Sequence, residues 1–186
     1  MTLNGNGSIR DFIKSNYIVF EEVIVSWLIE CVMGIDHLVR IGLHHSDIKP
    51  DNLLLDSVGG LRIGDMGLVQ EIPLPLTPFG RLRGTVEYLP NEALTFVEKT
   101  ITMDIWSAGV TFFELVTGAL PWRHIPSDDI NDRILNTLDG HHELYINGTP
   151  EFRARYFVPS VEFREVIGQH MLVLDSAVRS SATNIL

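Results

Sequence analysis

Between Ile101 and Trp122 the chain carries its longest apolar run, and Asp104 and Glu114 are the charged residues within it. From Met103 to Thr117 the run is apolar nearly all round at helical spacing, and Gly118 and Pro121 stop it. A helix without a polar face must be wrapped by other elements on every side. Two ionisable side chains argue against a membrane span. The run therefore predicts a central, buried helix, and a chain of 186 residues is long enough to build one domain around it.

The polar counterpart of that helix is His45-Ser46-Asp47-Ile48-Lys49-Pro50-Asp51-Asn52. It lies between an apolar helical run and the strand-like Leu53-Leu54-Leu55, and Pro50 disfavours helix at Lys49. The octet reads as a loop that presents Asp47, Lys49 and Asn52 together from two buried flanks. The competing reading is a polar turn whose Asp and Asn bond their own backbone. After the loop, Leu53–Leu55, a turn over Asp56-Ser57-Val58-Gly59-Gly60 and the returning Leu61-Arg62-Ile63 predict a hairpin. That hairpin brings Asp65, of Asp65-Met66-Gly67, back beside Asn52. A carboxylate and an amide oxygen there form a hard donor pair suited to Mg²⁺. Asp47 beside such an ion could accept a proton, and Lys49 could neutralise a phosphate.

His45-x-Asp47-x-Lys49-x-x-Asn52 followed by Asp65-x-Gly67 resembles the catalytic loop and metal-binding triplet of eukaryotic protein kinases. Gly84-Thr85-Val86-Glu87-Tyr88-Leu89-Pro90-Asn91-Glu92 resembles the segment ending in Ala-Pro-Glu. Asp104-Ile105-Trp106-Ser107-x-Gly109-Val110 resembles the start of the large lobe's central helix, and Arg179 the arginine that pairs with the glutamate, here Glu92. The resemblance implies a mainly α fold with a small β-hairpin: residues 1–186 as a kinase large (C-terminal) lobe, the catalytic loop at 45–52 and the activation segment at 65–92. It implies Asp47, Lys49 and Thr85 as catalytic residues, Lys49, Asn52 and Asp65 as nucleotide-binding residues, and Asn52 and Asp65 as Mg²⁺ ligands. ATP and Mg²⁺ are then the cofactors, and Asp104 should accept backbone hydrogen bonds from the catalytic loop. The alternative for Asp104 is a helix-start cap, and for Thr85 a satisfied loop residue. Lys49 with Thr85 points to serine/threonine rather than tyrosine specificity.

The resemblance is confined to that lobe. Gly5-Asn6-Gly7-Ser8-Ile9-Arg10 fails a Gly-rich phosphate loop at its last position. The lysines Lys14, Lys49 and Lys99 do not sit in a Val-Ala-Ile-Lys context. The N-terminal β lobe is therefore expected to be absent, with another polypeptide a candidate to supply it, and the isolated chain weak or inactive, since half a cleft holds nucleotide poorly. Ser46 stands where activated kinases usually carry arginine, which removes the usual receiver for a phosphate on the activation segment and weakens Thr77, before Pro78, as a regulatory site. Met66 replaces the usual phenylalanine. Two other functions remain: a noncatalytic pseudokinase scaffold, and a small-molecule phosphotransferase, since antibiotic and choline kinases share His-x-Asp-x-x-x-x-Asn. Lys49 and the 84–92 segment favour protein substrates.

The formal net charge of −10 argues against nucleic acid as a partner. The polar N-terminus is no signal peptide, no membrane partner is implied, and a single cysteine, Cys31, fits a reducing compartment. The chain is read as intracellular and cytoplasmic, with the nucleus also open. Along the rest of the chain, Ser8-Ile9-Arg10-Asp11 reads as a capping box opening a helix to about Ser15. A second helix spans about Phe20 to Arg40, with Phe20, Val23, Ile24, Trp27, Leu28, Cys31, Ile35 and Leu38 on its apolar face and Gly42 ending it. Leu68–Thr85 reads as irregular, Ser127–Leu138 and Ser160–Leu172 as helices, Asp139–Pro159 as a loop with surface histidines His141 and His142, and a last helix begins near Ser181.

Overall fold

A computed structural model describes residues 7–15, 19–72, 84–94, 100–123, 128, 129, 132 and 159–186. Its helices are α1 (Ile9–Ser15), α2 (Glu21–Arg40), α3 (Asn91–Leu94), α4 (Met103–Thr117), α5 (Val161–Glu165) and α6 (Ala182–Ile185). Four short strands, β1 (Leu43–His44), β2 (Leu53–Leu55), β3 (Leu61–Ile63) and β4 (Gln70–Glu71), pair as two antiparallel ribbons, β1 with β4 and β2 with β3.

The apolar run forms α4, buried from Met103 to Val116. Gly118 terminates it in the left-handed conformation (φ 75°), where its N–H returns to the Glu114 carbonyl at 2.7 Å. Around α4 lie Ile24, Leu28, Cys31 and Ile35 of α2, Leu53 and Leu61 of the hairpin, and Phe163, Ile167 and Met171 of the C-terminal helical segment, all in one core. Trp106 stacks on Trp122 with centroids 6.4 Å apart.

In α1 the box closes: Asp11 Oδ2 accepts both the Ser8 N–H and the Ser8 hydroxyl at 2.8 Å, and Ser8 Oγ accepts the Asp11 N–H at 3.2 Å. The residues just before it add an edge to the hairpin, which the sequence reading did not anticipate. Ser8 bridges Leu54, and Leu55 N–H donates to the Gly7 carbonyl. Helix α2 buries Ile24, Trp27, Leu28, Cys31, Val32, Ile35 and Leu38. Phe20 and Val23, expected on that face, are instead exposed at 75% and 40%, at the N-terminal end of α2. Val32, omitted from the expected face, is buried because the stripe there is wider than one residue per turn.

Two further expectations need correction. The stretch read as irregular contains β4, whose two residues pair with β1 at Leu43↔Glu71 and His44↔Gln70; two residues are too short to show period-2 alternation. The helix expected over 160–172 begins as α5, capped by Ser160 Oγ accepting the Phe163 N–H, but continues as a π turn over Val166–Met171. In that turn Leu172 N–H reaches back to the Ile167 carbonyl at 2.8 Å. Thr77, the proline-rich residues 73–78, the histidines at 141–142 and the expected 127–138 helix lie outside the described residues, apart from 128, 129 and 132. Among the described residues no helix is long and apolar enough to cross a membrane.

Candidate active site

The hairpin forms as expected, and its register pairs Leu53↔Ile63, Leu54↔Arg62 and Leu55↔Leu61. Asp56 shapes its turn, one carboxylate oxygen accepting the N–H groups of Val58 (3.1 Å) and Gly60 (2.9 Å). Gly64 N–H then donates to the Asn52 carbonyl at 2.8 Å, so the chain re-emerges beside the octet and Asp65 follows one residue on. Within the octet Pro50–Asn52 form a single 3-10 turn.

Asp104 ties this loop to the core. Its two carboxylate oxygens accept the backbone N–H groups of His45 (2.7 Å) and Ser46 (3.0 Å), so it does more than begin α4. His45, fully buried, bonds the Gly64 carbonyl through Nε2 at 3.0 Å and accepts the Asp47 N–H at Nδ1 at 3.3 Å, joining the loop to the end of β3. Ser46 and Asp65 are the positive-φ residues other than glycine among the described residues, at 71° and 54°. Such backbone costs about 1–3 kcal/mol and persists only where the surroundings enforce it.

Both oxygens of Asp47 are filled. Oδ1 accepts the Thr85 N–H at 2.9 Å and the Thr85 hydroxyl at 2.8 Å. Oδ2 accepts Asn52 Nδ2 at 2.9 Å and pairs with Lys49 Nζ at 2.8 Å. Lys49 Nζ also donates to Thr85 Oγ1 at 2.7 Å. Asp47, Lys49, Asn52 and Thr85 thus form one connected cluster built from two stretches of chain. Burial by itself raises the Asp47 carboxyl; the hydrogen bonds from Lys49, Thr85 and Asn52 and the Lys49 charge outweigh it and hold the group below the usual carboxylate range. Asp47 is therefore ionised at neutral pH and suited to orienting a hydroxyl more than to acting as a strong base.

Asn52 and Asp65 sit on the two sides of the hairpin base. Asn52 Nδ2 is committed to the Asp47 carbonyl (2.8 Å) and carboxylate, so the amide oxygen is the end that can meet a cation. Asp65 is exposed, and its Oδ1 accepts the Gly67 N–H at 3.2 Å. One carboxylate and one amide oxygen are hard donors that fit Mg²⁺ and leave most of its coordination shell to water and phosphate.

A second polar cluster escaped the sequence reading. Arg10 Nη1 donates to Glu114 Oε1 at 2.5 Å, Nη2 to the Tyr88 hydroxyl at 2.6 Å, and Nε to Asp51 Oδ2 at 3.1 Å; Tyr88 in turn donates to Glu114 Oε2 at 2.5 Å. Burial, with the bond to Glu114 and its charge, pushes the Tyr88 hydroxyl up, against the opposing Arg10 charge. A buried glutamate in a helix without a polar face was the signal that donors had to meet it. Ser107 Oγ donates to the Tyr88 carbonyl at 2.8 Å, which fixes the 84–89 strip on α4. Glu92 is held by Arg179, as expected, through two bonds of 2.6 and 3.1 Å.

Comparison with known proteins bears on this geometry. The protein kinase domain family matches residues 1–186. Mouse ribosomal protein S6 kinase alpha-6 is 32% identical over 129 residues, 69% of this chain and 17% of that protein. Rat ribosomal protein S6 kinase alpha-1 is 38% identical over 103 residues, 55% of this chain and 14% of that protein. A nematode (Caenorhabditis elegans) putative ribosomal protein S6 kinase alpha-1 is 33% identical over 115 residues, 62% and 15% of the two. The chain spans less than a fifth of the length of these relatives.

Proposed function

The chain belongs to the protein kinase domain family, and from that premise we propose that it transfers the terminal phosphoryl group of Mg-ATP to serine or threonine hydroxyls of protein substrates. The observation that carries the reading is the closed cluster of Asp47, Lys49, Asn52 and Thr85. A protein that transfers a phosphoryl group needs positioning and charge neutralisation more than covalent chemistry. In this reading Asp47 receives the acceptor hydroxyl and takes its proton as the hydroxyl oxygen bonds the terminal phosphorus and the bond from that phosphorus to the ADP oxygen breaks, ADP leaving. Lys49 moves from Asp47 towards the transferring phosphate and offsets its charge. Thr85 keeps the Asp47 carboxylate aimed. Asn52 and Asp65 would hold Mg²⁺, which would supply charge neutralisation for the phosphate oxygens.

The reading assigns residues 1–186 to the large lobe, with the catalytic loop at 45–52 and the activation segment at 65–92. The other face of the nucleotide falls to a small β lobe outside these residues. The Lys49–Thr85 pairing supports a serine/threonine acceptor, and the Glu92–Arg179 pair supports a substrate-docking segment held in the manner of protein kinases. Protein substrates of the relatives' kind are part of the same proposal.

Thermal unfolding with and without Mg-ATP, beside Asp65→Ala, tests it. Ligand at about a hundred times its dissociation constant stabilises by about 2.7 kcal/mol, a rise in Tm of roughly 5–10 °C at this size. A rise that disappears in Asp65→Ala, followed by peptide phosphorylation lost in Asp47→Asn, is the expected result. Nucleotide binding without transfer to any peptide would leave a scaffold, and transfer only to small alcohols would move the chain to the small-molecule phosphotransferases.

A further inference from the structure

His44 is among the largest side chains wholly inside the protein, at 1% exposure, yet it is a polar ring in a strand position. Its Nδ1 is 3.0 Å from Ser46 Oγ, and its Nε2 lies 3.5 Å from Asp104 Oδ1, the oxygen that also accepts the Ser46 N–H, a charge contact without hydrogen-bond geometry. Ser46 Oγ in turn accepts Gln70 Nε2 at 2.7 Å, and Gln70 is the residue opposite His44 across the β1–β4 ribbon. The Gln70 amide donates to the Ser46 hydroxyl; with that hydroxyl donating to His44 Nδ1, the Nε2–H faces the Asp104 carboxylate at 3.5 Å as an electrostatic contact rather than a hydrogen bond.

We propose that His44 is a positioning residue for Asp47, the central member of a Gln70–Ser46–His44 relay set against the Asp104 carboxylate, which fixes the strained backbone in front of it. Three observations converge. Ser46 has a left-handed backbone (φ 71°) that a serine does not adopt freely, so its surroundings must hold it. The groups that hold it include Asp104 and the two relay partners of its hydroxyl. Asp47 is the next residue, and its amide, anchored on His45 Nδ1, follows wherever Ser46 is set. The relay also joins β4, which lies just past Asp65-Met66-Gly67, to the catalytic loop. The place of the strand after the triplet is thereby read by hydrogen bonds at Ser46. The inference rests on the functional reading above for its kinetic consequence, but its structural half does not.

The test is His44→Leu, which puts an apolar side chain of similar bulk there and removes both ring nitrogens, beside His44→Gln, whose amide can replace them. Hydrogen exchange of the His45 and Ser46 amides in the intact chain is measured first. Leu should raise it about tenfold or more while amides inside α4 stay as they were, and Gln should restore most of the protection. In the phosphoryl-transfer assay Leu should lower kcat about tenfold with the KM for ATP unchanged, again with rescue by Gln. Unchanged exchange at His45 and Ser46 in the Leu variant overturns the relay whatever the kinase assay shows. Raised exchange throughout α4 also overturns it, because His44 would then support the core alone. Raised local exchange in a protein without transferase activity upholds the relay and places the failure in the functional reading.

Discussion

Thr85 donates twice to one oxygen of Asp47, from its amide at 2.9 Å and its hydroxyl at 2.8 Å, while the same hydroxyl oxygen accepts Lys49 at 2.7 Å. One side chain thus aligns the proposed base and the proposed phosphate ligand. Thr85→Val keeps the amide bond and the shape but loses the hydroxyl. A lost hydrogen bond to a charged group is worth about 1.5–3 kcal/mol, so kcat should fall roughly 10- to 150-fold, with Thr85→Ser close to the parent. Steady-state transfer to serine/threonine peptides decides it; equal losses in both variants would assign the effect to packing.

Gly84 sets up that contact from one residue earlier. Its φ is +96°, and a Cβ there would run into the Ser46 carbonyl oxygen. Gly84→Ala should therefore cost at least about 1–3 kcal/mol of stability and withdraw Thr85 from Asp47. Denaturant unfolding gives the first number, and the Asp47-dependent transfer rate should fall with it. A variant as stable and as active as the parent would mean that the 84–85 strip is free to shift.

The parts of this site visible in the sequence were those set by short-range chemistry. Pro50 and the polar octet marked a loop, Gly59-Gly60 after Asp56 marked a turn, and the all-round apolar 103–117 run marked the central helix. Each is encoded within a few neighbouring residues. What was hidden depends on long-range closure. Arg10 meets Glu114 across 104 positions, and Gln70 reaches Ser46 through a strand of two residues. His44 occupies a strand position where an apolar residue would fit as well, and only its neighbours in space show why a ring with two nitrogens is there. Phe20 and Val23 failed in the opposite sense: the helical period was right, but period alone does not say how far along α2 the core extends.

Acid should expose the charge state of Asp47. Its folded carboxyl is held below the unfolded value of about 3.9. The ionised form is therefore favoured by folding, and the resulting stability is fully present above that value and is lost as pH falls through the lower, folded one. Asp11, Asp36 and Asp56 shift in the same direction, so the parent curve alone is a mixture. The difference in unfolding free energy between the parent and Asp47→Asn isolates one group. It should be constant from about pH 7 to pH 5 and shrink below about pH 4. A difference that does not change with pH would show that Asp47 has the same affinity for protons folded and unfolded.

Arg179 and Glu92 give the most direct test of how the 84–92 segment is fastened. Both side chains are buried, at 0% and 9% exposure, and the guanidinium makes two bonds to the carboxylate, at 2.6 and 3.1 Å. It also donates to the Val173 carbonyl at 2.8 Å and lies 5.0 Å over the Trp106 ring. Removing one partner leaves the other charged and dry, which typically costs about 3–5 kcal/mol, whereas replacing both with apolar side chains can be nearly neutral. Arg179→Met and Glu92→Leu should each lower Tm by roughly 6–20 °C at this size, and the double variant should recover most of the loss. The two fastened ends differ in consequence, however. Glu92 lies on α3 next to the 84–89 strip, proposed to dock substrate, while Arg179 lies on the C-terminal segment. A stable double variant that no longer phosphorylates peptides would show that the pair orients the strip as well as stabilising it. Single variants within about 0.5 kcal/mol of the parent would remove the pair from the fold's essential contacts.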